Sequence, residues 1–220
     1  MLHFETTAVT AACRERCEDR VEVVEFDDGV VIVVADGAGG TGWGAEAAET
    51  VIREVTAAAS LERNAEDWCE ALRQTDQRIG AGESTCVVVA RSPRGIVGAG
   101  VGDSKAWLLE NDEIIDLTAG LMRKPLLGTG EARPAGFSRP PSPGILLVCT
   151  DGFCNYVRRE ALLREILWID FAALPRRLVE MVRLPSGDLW DDVGIVACRG
   201  PEAGQGPATA RDPRLSQPGK

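Results

Sequence analysis

The sequence predicts an α+β fold in which antiparallel sheets are covered by helices. Continuous runs of apolar, mostly β-branched residues at 30–35 (VVIVVA), 145–150 (ILLVCT) and 193–198 (VGIVAC) are typical of buried strands. The predicted elements are strands, two helices, several strands, then helices and a closing strand. This order does not alternate as βαβ units would. The 220 residues are enough for one domain with its own core.

A glycine-rich turn separates the first predicted strand from the first predicted helix. The strand at 30–35 follows an apolar-alternating stretch at 21–26 and ends at Asp36-Gly37. The turn extends to residue 44 and opens an Ala-rich helix over about 45–61. Apolar residues recur at helical spacing in this segment, so one of its faces is expected to be buried.

A second helix and a meander of strands are predicted next. The helix covers residues 65–79, because Asn64 is a favourable N-cap and Gly80 is a stop signal. Turn signals at 92–95 and 111–112 then separate short apolar runs, which favours antiparallel pairing. These runs predict strands at 85–90, 95–101 and 106–110.

The last part of the chain begins with a predicted loop. Residues 116–143 contain several prolines and glycines and show no clear periodicity. The elements predicted after it are a strand at 145–150, helices at 159–167 and 171–182, the second interrupted early by Pro175, and a closing strand at 193–198. The polar, Pro/Gly-rich tail at 201–220 is predicted to be disordered.

The composition disfavours two classes of partner. There are 34 acidic and 24 basic residues, giving a net charge of −10, whereas non-specific nucleic-acid binding relies on a surplus of Lys and Arg. No apolar run approaches the ~18 residues of a membrane span, and the N-terminus has no signal-peptide pattern. We therefore expect a cytoplasmic protein that binds neither nucleic acid nor membrane.

The cysteine and histidine content limits the possible chemistry. The seven cysteines are an odd number without a CxxC pair, which argues against a disulfide framework and against a zinc site. Most are expected to be small buried residues. The single histidine, His3, lies near the N-terminus. Catalysis by a Ser-His-Asp or Cys-His arrangement is therefore not expected.

Acidic residues lie at the ends of the apolar strands. Asp36 and Asp151 directly follow two of them, and Asp103 follows a third. Two acidic pairs lie just before the closing strand and the alternating stretch: Asp191-Asp192 and Glu18-Asp19. Converging carboxylates repel one another unless cations lie between them, and oxygen ligands suit hard ions. The pattern predicts a Mg²⁺ or Mn²⁺ site, although each acid taken alone is also typical of a tight turn or a solvated surface pair.

The same acids fall into five ordered motifs. They are Arg14 to Asp19 (Arg-x-x-x-Glu-Asp), Asp36-Gly37 after a buried strand, Gly102-Asp103-Ser104, Thr150-Asp151-Gly152, and Asp191-Asp192 before the closing strand. In this order they resemble the metal-dependent Ser/Thr protein phosphatases of type 2C, the PPM family, in a minimal form like that of bacterial members. The resemblance covers about residues 10–200 and implies a phosphatase domain over 1–200, followed by the tail at 201–220.

The resemblance implies a four-layer αββα sandwich, a central antiparallel β-sandwich flanked by helices, that binds two Mn²⁺ or Mg²⁺ ions. Asp36 would bridge the two ions, with the carbonyl of Gly37 on one of them. Asp151 and Asp191 would hold the other ion, and Glu18 would act largely through bound water.

The resemblance also implies the reaction. Arg14 would grip two phosphoryl oxygens with its guanidinium fork, and Asp19 would orient the nucleophilic water. A water activated by the ions would attack phosphorus in line, without a phospho-enzyme. Asp103 together with Asp151 would offer a weaker third ion site. The substrate would be a protein carrying phosphoserine or phosphothreonine, with a Ser/Thr kinase or its target as a candidate partner.

Three features depart from the family pattern. Residues 119–123 are shorter than the corresponding family segment and lack its Asp-His. Ala38 stands where eukaryotic members carry a His proposed as general acid, so water would protonate the leaving group. Asp192 replaces the family's Asn, and alignment to the closing strand favours Asp191 rather than Asp192 as the metal ligand.

Two other functions fit parts of the pattern. A haloacid-dehalogenase-like phosphotransferase would also use carboxylates and a metal, but its Asp-x-Asp is missing because Gly37 and Ala38 follow Asp36. The second alternative is a catalytically silent, phosphatase-like regulatory module that binds a kinase or a phosphoprotein. The intact set of acids favours the active enzyme.

Overall fold

Two antiparallel sheets of five strands each form the centre of the computed structural model, which describes residues 3–38, 42–166 and 169–200. The predicted tail at 201–220 lies outside the described residues. In spatial order, the first sheet contains β1 (Glu5–Ala11), β10 (Val193–Arg199), β9 (Ile145–Cys149), β6 (Lys105–Glu110) and β7 (Glu113–Asp116). The second contains β2 (Asp19–Phe26), β3 (Gly29–Asp36), β4 (Cys86–Ser92), β5 (Gly95–Val101) and β8 (Ala135–Arg139).

Helices cover the outer face of each sheet. Those of the described residues are α1 (Gly44–Ala57), α2 (Ala65–Asp76), α3 (Asp151–Cys154), α4 (Arg159–Ile166) and α5 (Leu174–Met181). No helix in this part of the chain combines the length and apolar character needed to cross a membrane.

Alternate residues of β3 face two different cores, which explains why its sequence is continuously apolar. Ile32 and Val34 point between the sheets and pack with Leu146 and Val148 of β9. Their neighbour Val33 belongs to the core on the other face of the second sheet, which is shared with α1 and α2. A strand buried on both faces has no polar side to alternate with.

The outer face of the first sheet is covered by α3, α4 and α5. Leu147 of β9 and Ile195 of β10 pack there with Phe153, Leu162 and Leu178 of the three helices. The layer order is therefore helices, second sheet, first sheet, helices. The predicted four-layer αββα arrangement is confirmed.

Three strands were not predicted from the sequence. β1 (ETTAVTA) pairs with β10 from Glu5 opposite Arg199 to Ala11 opposite Val193, and it is an edge strand whose residues are only half-buried or exposed. β7 and β8 are also edge strands, and their residues are half-buried or exposed. The prediction that 116–143 is entirely loop is therefore wrong for β8, because an edge strand needs no continuous apolar run.

The helix boundaries differ slightly from the predicted ones. Asn64 caps α2 as predicted. Its Oδ1 accepts a hydrogen bond from the backbone N–H of Glu66 at 2.8 Å, and the Asp67 carboxylate accepts one from the Asn64 N–H at 2.9 Å. However, α1 ends at Ala57 and α2 at Asp76, earlier than predicted. The segment at 171–182 begins with a 3-10 turn, and α5 then starts with a proline in its first turn, where proline is tolerated.

Candidate metal centre

Strand pairing brings the predicted acids to one end of the β-sandwich. Asp19, the first residue of β2, lies opposite Asp36, the last residue of β3. In the first sheet, Asp151 follows β9 and Asp191 precedes β10 by two residues, and these two strands are antiparallel neighbours. Asp103 lies in the connection from β5 to β6, which links the two sheets. Residues far apart in sequence therefore meet at one rim.

Three of these acids form a compact oxygen cluster. A carboxylate oxygen from each of Asp36, Asp103 and Asp151 lies within 4.8 Å of the other two. Such a set of hard oxygen donors is typical of Mg²⁺ and Mn²⁺ sites and unsuited to soft metals.

In the absence of cations, burial and mutual repulsion raise the pKa values of Asp36 and Asp151. Burial raises the pKa of Asp36 to about 10, and the charges of Asp19, Asp151, Asp191 and Asp103 add to the effect. The pKa of Asp151 rises to about 6, first through burial and then through Asp103 and Asp191. A bound cation would reverse both shifts, because it favours the ionised carboxylates.

Asp19 is the most deeply buried acid of the group. Asp19 is only 2% exposed, and its Oδ2 has no hydrogen-bond partner among the described residues. Burial raises its pKa to about 7, while the nearby Thr150 hydroxyl opposes the rise. An orphaned carboxylate oxygen in a buried site is costly, so it indicates a missing positive or hydrogen-bonding group. This observation and the oxygen cluster together fit a hydrated divalent cation.

A network of hydroxyls fixes the end of β3. The Asp36 N–H donates to Thr85 Oγ1 at 3.1 Å, and the Ser84 hydroxyl donates to the Asp36 carbonyl at 3.0 Å. Thr85 Oγ1 also lies 2.7 Å from Ser104 Oγ, next to Asp103. All three hydroxyl residues are buried, so their side chains hold two of the clustered acids in fixed register.

The two consecutive acids before β10 have different roles. Asp192 is buried, and its two oxygens accept from the backbone N–H groups of Cys13 at 2.7 Å and Glu18 at 2.6 Å. Asp191 is exposed and lines the pocket. Asp192 therefore holds the loop at 13–18 in place. Both residues line the pocket, but only Asp191 is exposed there, so Asp191 stays the predicted metal ligand.

The acids line an open polar pocket of about 790 Å³. Six of the eight predicted site residues are on its wall: Arg14, Glu18, Asp36, Gly37, Asp151 and Asp191. Of the other two, Asp103 joins through the oxygen cluster, and Asp19 through its β-sheet register with Asp36. Ala38 also lines the pocket, and it leaves that position without an acid–base group.

Close backbone contacts explain why two positions beside the site, Gly37 and Gly44, are occupied by glycine. A Cβ on Gly37 would lie 2.3 Å from the Gly44 carbonyl oxygen, so α1 begins directly against the end of β3. A Cβ on Gly44 would in turn lie 3.0 Å from Glu18 Oε2, which places this carboxylate beside the N-terminus of α1. Only glycine allows this approach, and the positive end of the helix dipole favours the nearby acid.

One charged neighbour of the cluster, Arg123, has no recognisable signal in the sequence. Arg123 donates through Nε to Asp103 Oδ2 at 3.0 Å. It belongs to the segment at 119–123, which differs from the family pattern only in being short and in lacking an Asp-His. A lone arginine in a loop has no local pattern that would single it out.

Comparison with known proteins identifies relatives of this arrangement. A family model described as Protein phosphatase 2C matches residues 11–120. No curated protein matches the chain. Among solved structures, an arginine-to-alanine variant of a bacterial serine phosphatase superposes with a TM-score of 0.80 at 21% identity, covering 92% of this chain and 100% of that one.

Two further solved structures show the same fold. The catalytic domain of the serine/threonine phosphatase PstP, in complex with two manganese ions, has a TM-score of 0.76 at 19% identity, over 92% of this chain and 100% of that one. Phosphatase Stp1 from Staphylococcus aureus has a TM-score of 0.76 at 18% identity, over 90% and 95% of the two chains.

Proposed function

Because this chain belongs to the protein phosphatase 2C family of phosphoprotein phosphatases, we propose that it hydrolyses phosphoserine and phosphothreonine in proteins with the help of divalent metal ions. The observation that carries this proposal is the oxygen cluster of Asp36, Asp103 and Asp151, of which Asp36 and Asp151 line an open polar pocket. Such a pocket can admit a phosphorylated side chain carried by a protein loop.

Mn²⁺ or Mg²⁺ is the proposed cofactor, with two ions bound. The all-oxygen donor set and the orphaned oxygen of Asp19 support this choice, and the similar PstP domain contains two manganese ions. Asp36, Asp151 and Asp191 would be the protein ligands, with the carbonyl of Gly37 and, through water, Glu18. When bound, the ions neutralise the phosphate charge and make a coordinated water acidic.

The chain itself supplies the groups that orient the substrate and the water. Arg14 is exposed on the pocket wall and, among the described residues, forms no ion pair, so its guanidinium is free to grip two phosphoryl oxygens. Asp19 lies buried opposite Asp36 in the pairing of β2 with β3 and has one carboxylate oxygen unpartnered, and this oxygen would accept a hydrogen bond from the attacking water. The proposed roles are phosphate binding for Arg14 and water orientation for Asp19.

Direct attack by water fits the absence of a suitable protein nucleophile on the described pocket wall. The thiol there, Cys13, has a pKa raised to about 11 by burial and by Asp192, so it is protonated and unreactive near neutral pH. In the proposed reaction the water oxygen bonds to phosphorus while the bond to the serine or threonine oxygen breaks. Solvent then protonates that oxygen, because Ala38 cannot.

The proposed setting is the cytoplasm, where a Ser/Thr kinase or its target is the candidate partner. All seven cysteines are free, which agrees with a reducing compartment. The pocket is open enough to receive a phosphorylated loop of a folded protein.

The test is hydrolysis of para-nitrophenyl phosphate and of a phosphothreonine peptide with Mn²⁺, and then with excess chelator. We expect turnover that needs the metal and that Asp36→Asn and Asp151→Asn each abolish. Glu113→Gln, an exposed acid of β7 away from the cluster, is the matched control and should keep full activity. Unchanged activity in Asp36→Asn would overturn the site assignment. No turnover by the folded, metal-loaded protein would instead favour the silent regulatory module.

A further inference from the structure

The positive charge of Arg123 partly neutralises the negative charge of the carboxylate cluster. Its Nε lies 3.0 Å from Asp103 Oδ2, and its Nη2 donates to the same oxygen. Asp103 is one of the three acids whose oxygens lie within 4.8 Å of one another. The guanidinium therefore places a fixed positive charge at one corner of the oxygen cluster.

The backbone of the short segment at 119–123 holds Arg123 in this position. The Gly102 N–H, immediately before Asp103, donates to the carbonyl of Met122 at 3.0 Å. One residue earlier, Leu121 packs so closely on β5 that a Cβ on Gly100 would lie 2.7 Å from its Cδ1. The arginine side chain is itself largely exposed, but the position from which it starts is fixed beside its partner.

The charge of Arg123 also acts on Asp151. Among the groups around Asp151, Asp103 and Asp191 raise the pKa of its carboxyl, whereas Arg123 lowers it. Arg123 thus favours the ionised form of Asp151, which the family resemblance implies, together with Asp103, as a ligand of a weaker third ion.

We propose that Arg123 is the built-in cation of this corner of the cluster, so that the protein binds two divalent ions and has no third site at Asp103. The physical reason is competition. Asp103 Oδ2 accepts two N–H groups from the guanidinium, and a metal ion at this oxygen would have to displace them against the repulsion between two cations. This inference rests on the proposed function, because it concerns the same metal centre.

The experiment is a count of bound Mn²⁺. The protein is dialysed to equilibrium against buffered Mn²⁺ and the ions per chain are measured by elemental analysis, at a concentration that saturates the parent protein. We expect two ions for the parent and three for Arg123→Gln. Arg123→Lys, which keeps the charge, should still bind two. The double variant Arg123→Gln with Asp103→Asn should return to two, because the vacated ligand is removed.

The outcomes separate this inference from the proposed function. Three ions in the parent, or two in Arg123→Gln, would overturn the role of Arg123 while leaving the metal-dependent phosphatase intact. No bound Mn²⁺ in any variant, with turnover that survives chelator, would overturn the proposed function itself. Thermal unfolding of each variant checks the fold, and an exposed arginine is expected to be replaceable without loss of structure.

Discussion

At the scale of single residues, Asp191 and Asp192 show how two identical neighbouring side chains can have different roles. Asp192 points into the protein and binds two backbone N–H groups of the loop that carries Arg14 and Glu18. Asp191 points outward onto the pocket wall. A buried carboxylate that accepts two backbone hydrogen bonds is a structural element, whereas an exposed one beside other acids is a candidate ligand.

We predict that Asp192→Ala destabilises the Mn²⁺-loaded protein by about 2–4 kcal/mol, since it removes two charge-assisted hydrogen bonds and leaves two half-buried backbone donors unpaired. Urea unfolding measures the change. Because the loop also positions Arg14, the KM for the phosphopeptide should rise.

Asp192→Asn is the control for this prediction. The amide keeps one acceptor oxygen, so its cost should be clearly smaller than that of the alanine variant. If both variants were as stable as the parent, the structural role of Asp192 would be wrong.

At the scale of elements, the site depends on how closely helices approach the loops beside them. A Cβ on Gly152, in the first turn of α3, would lie 1.9 Å from the Asp192 carbonyl oxygen. The helix that begins with Asp151 is therefore in direct backbone contact with the segment that carries Asp191. This contact, and the one between Gly37 and Gly44, sets the spacing of carboxylates that come from different elements.

We predict that Gly152→Ala destabilises the protein by about 1–3 kcal/mol through overpacking and also weakens Mn²⁺ binding. The physical reason is that α3 and the segment before β10 must move apart, which separates Asp151 from Asp191. Urea unfolding and a Mn²⁺ titration measure the two effects.

Gly80→Ala is the matched control, because a Cβ there meets no atom within 4 Å of the described residues. Its stability should stay within about 0.5 kcal/mol of the parent. Equal behaviour of the two variants would show that the close contact at α3 has no role in the site.

At the scale of the whole molecule, the crowded acids make the metal-free fold sensitive to pH. Asp151, Asp19 and Asp36 have pKa values raised to about 6, about 7 and about 10. In the unfolded chain an aspartate titrates near pH ~4. Between that value and each raised pKa the folded state holds protons that the unfolded state releases, so stability falls as pH rises through this window.

We therefore predict that the metal-free protein has a larger free energy of unfolding at about pH 5 than at about pH 8, as measured by urea unfolding with chelator present. Saturating Mn²⁺ should stabilise the fold most at the higher pH, where the ligands are ionised. Asp36→Asn should flatten the pH dependence of the metal-free stability, because it removes the carboxyl group with the highest of these three pKa values. A metal-free stability that rises over this range would contradict the crowding of the acids.

Local sequence patterns were sufficient to predict the buried strands and the candidate acids. The buried strands of both sheets were predicted because a strand covered on both faces must be continuously apolar, and the cap of α2 because Asn64 acts within one turn. The acids that follow these strands were also found locally, as breaks in apolar runs at residues such as Asp36 and Asp151.

Which of these acids meet, and which residues contact them, depends on tertiary packing. The edge strands β1 and β8 exist because partners far away in sequence, β10 and β5, offer free backbone groups. The different roles of Asp191 and Asp192 depend on how their side chains are oriented toward other segments. The same is true of the ion pair between Arg123 and Asp103. Such contacts have no local signature, since they arise only when the packing of the two sheets brings distant segments to the same rim.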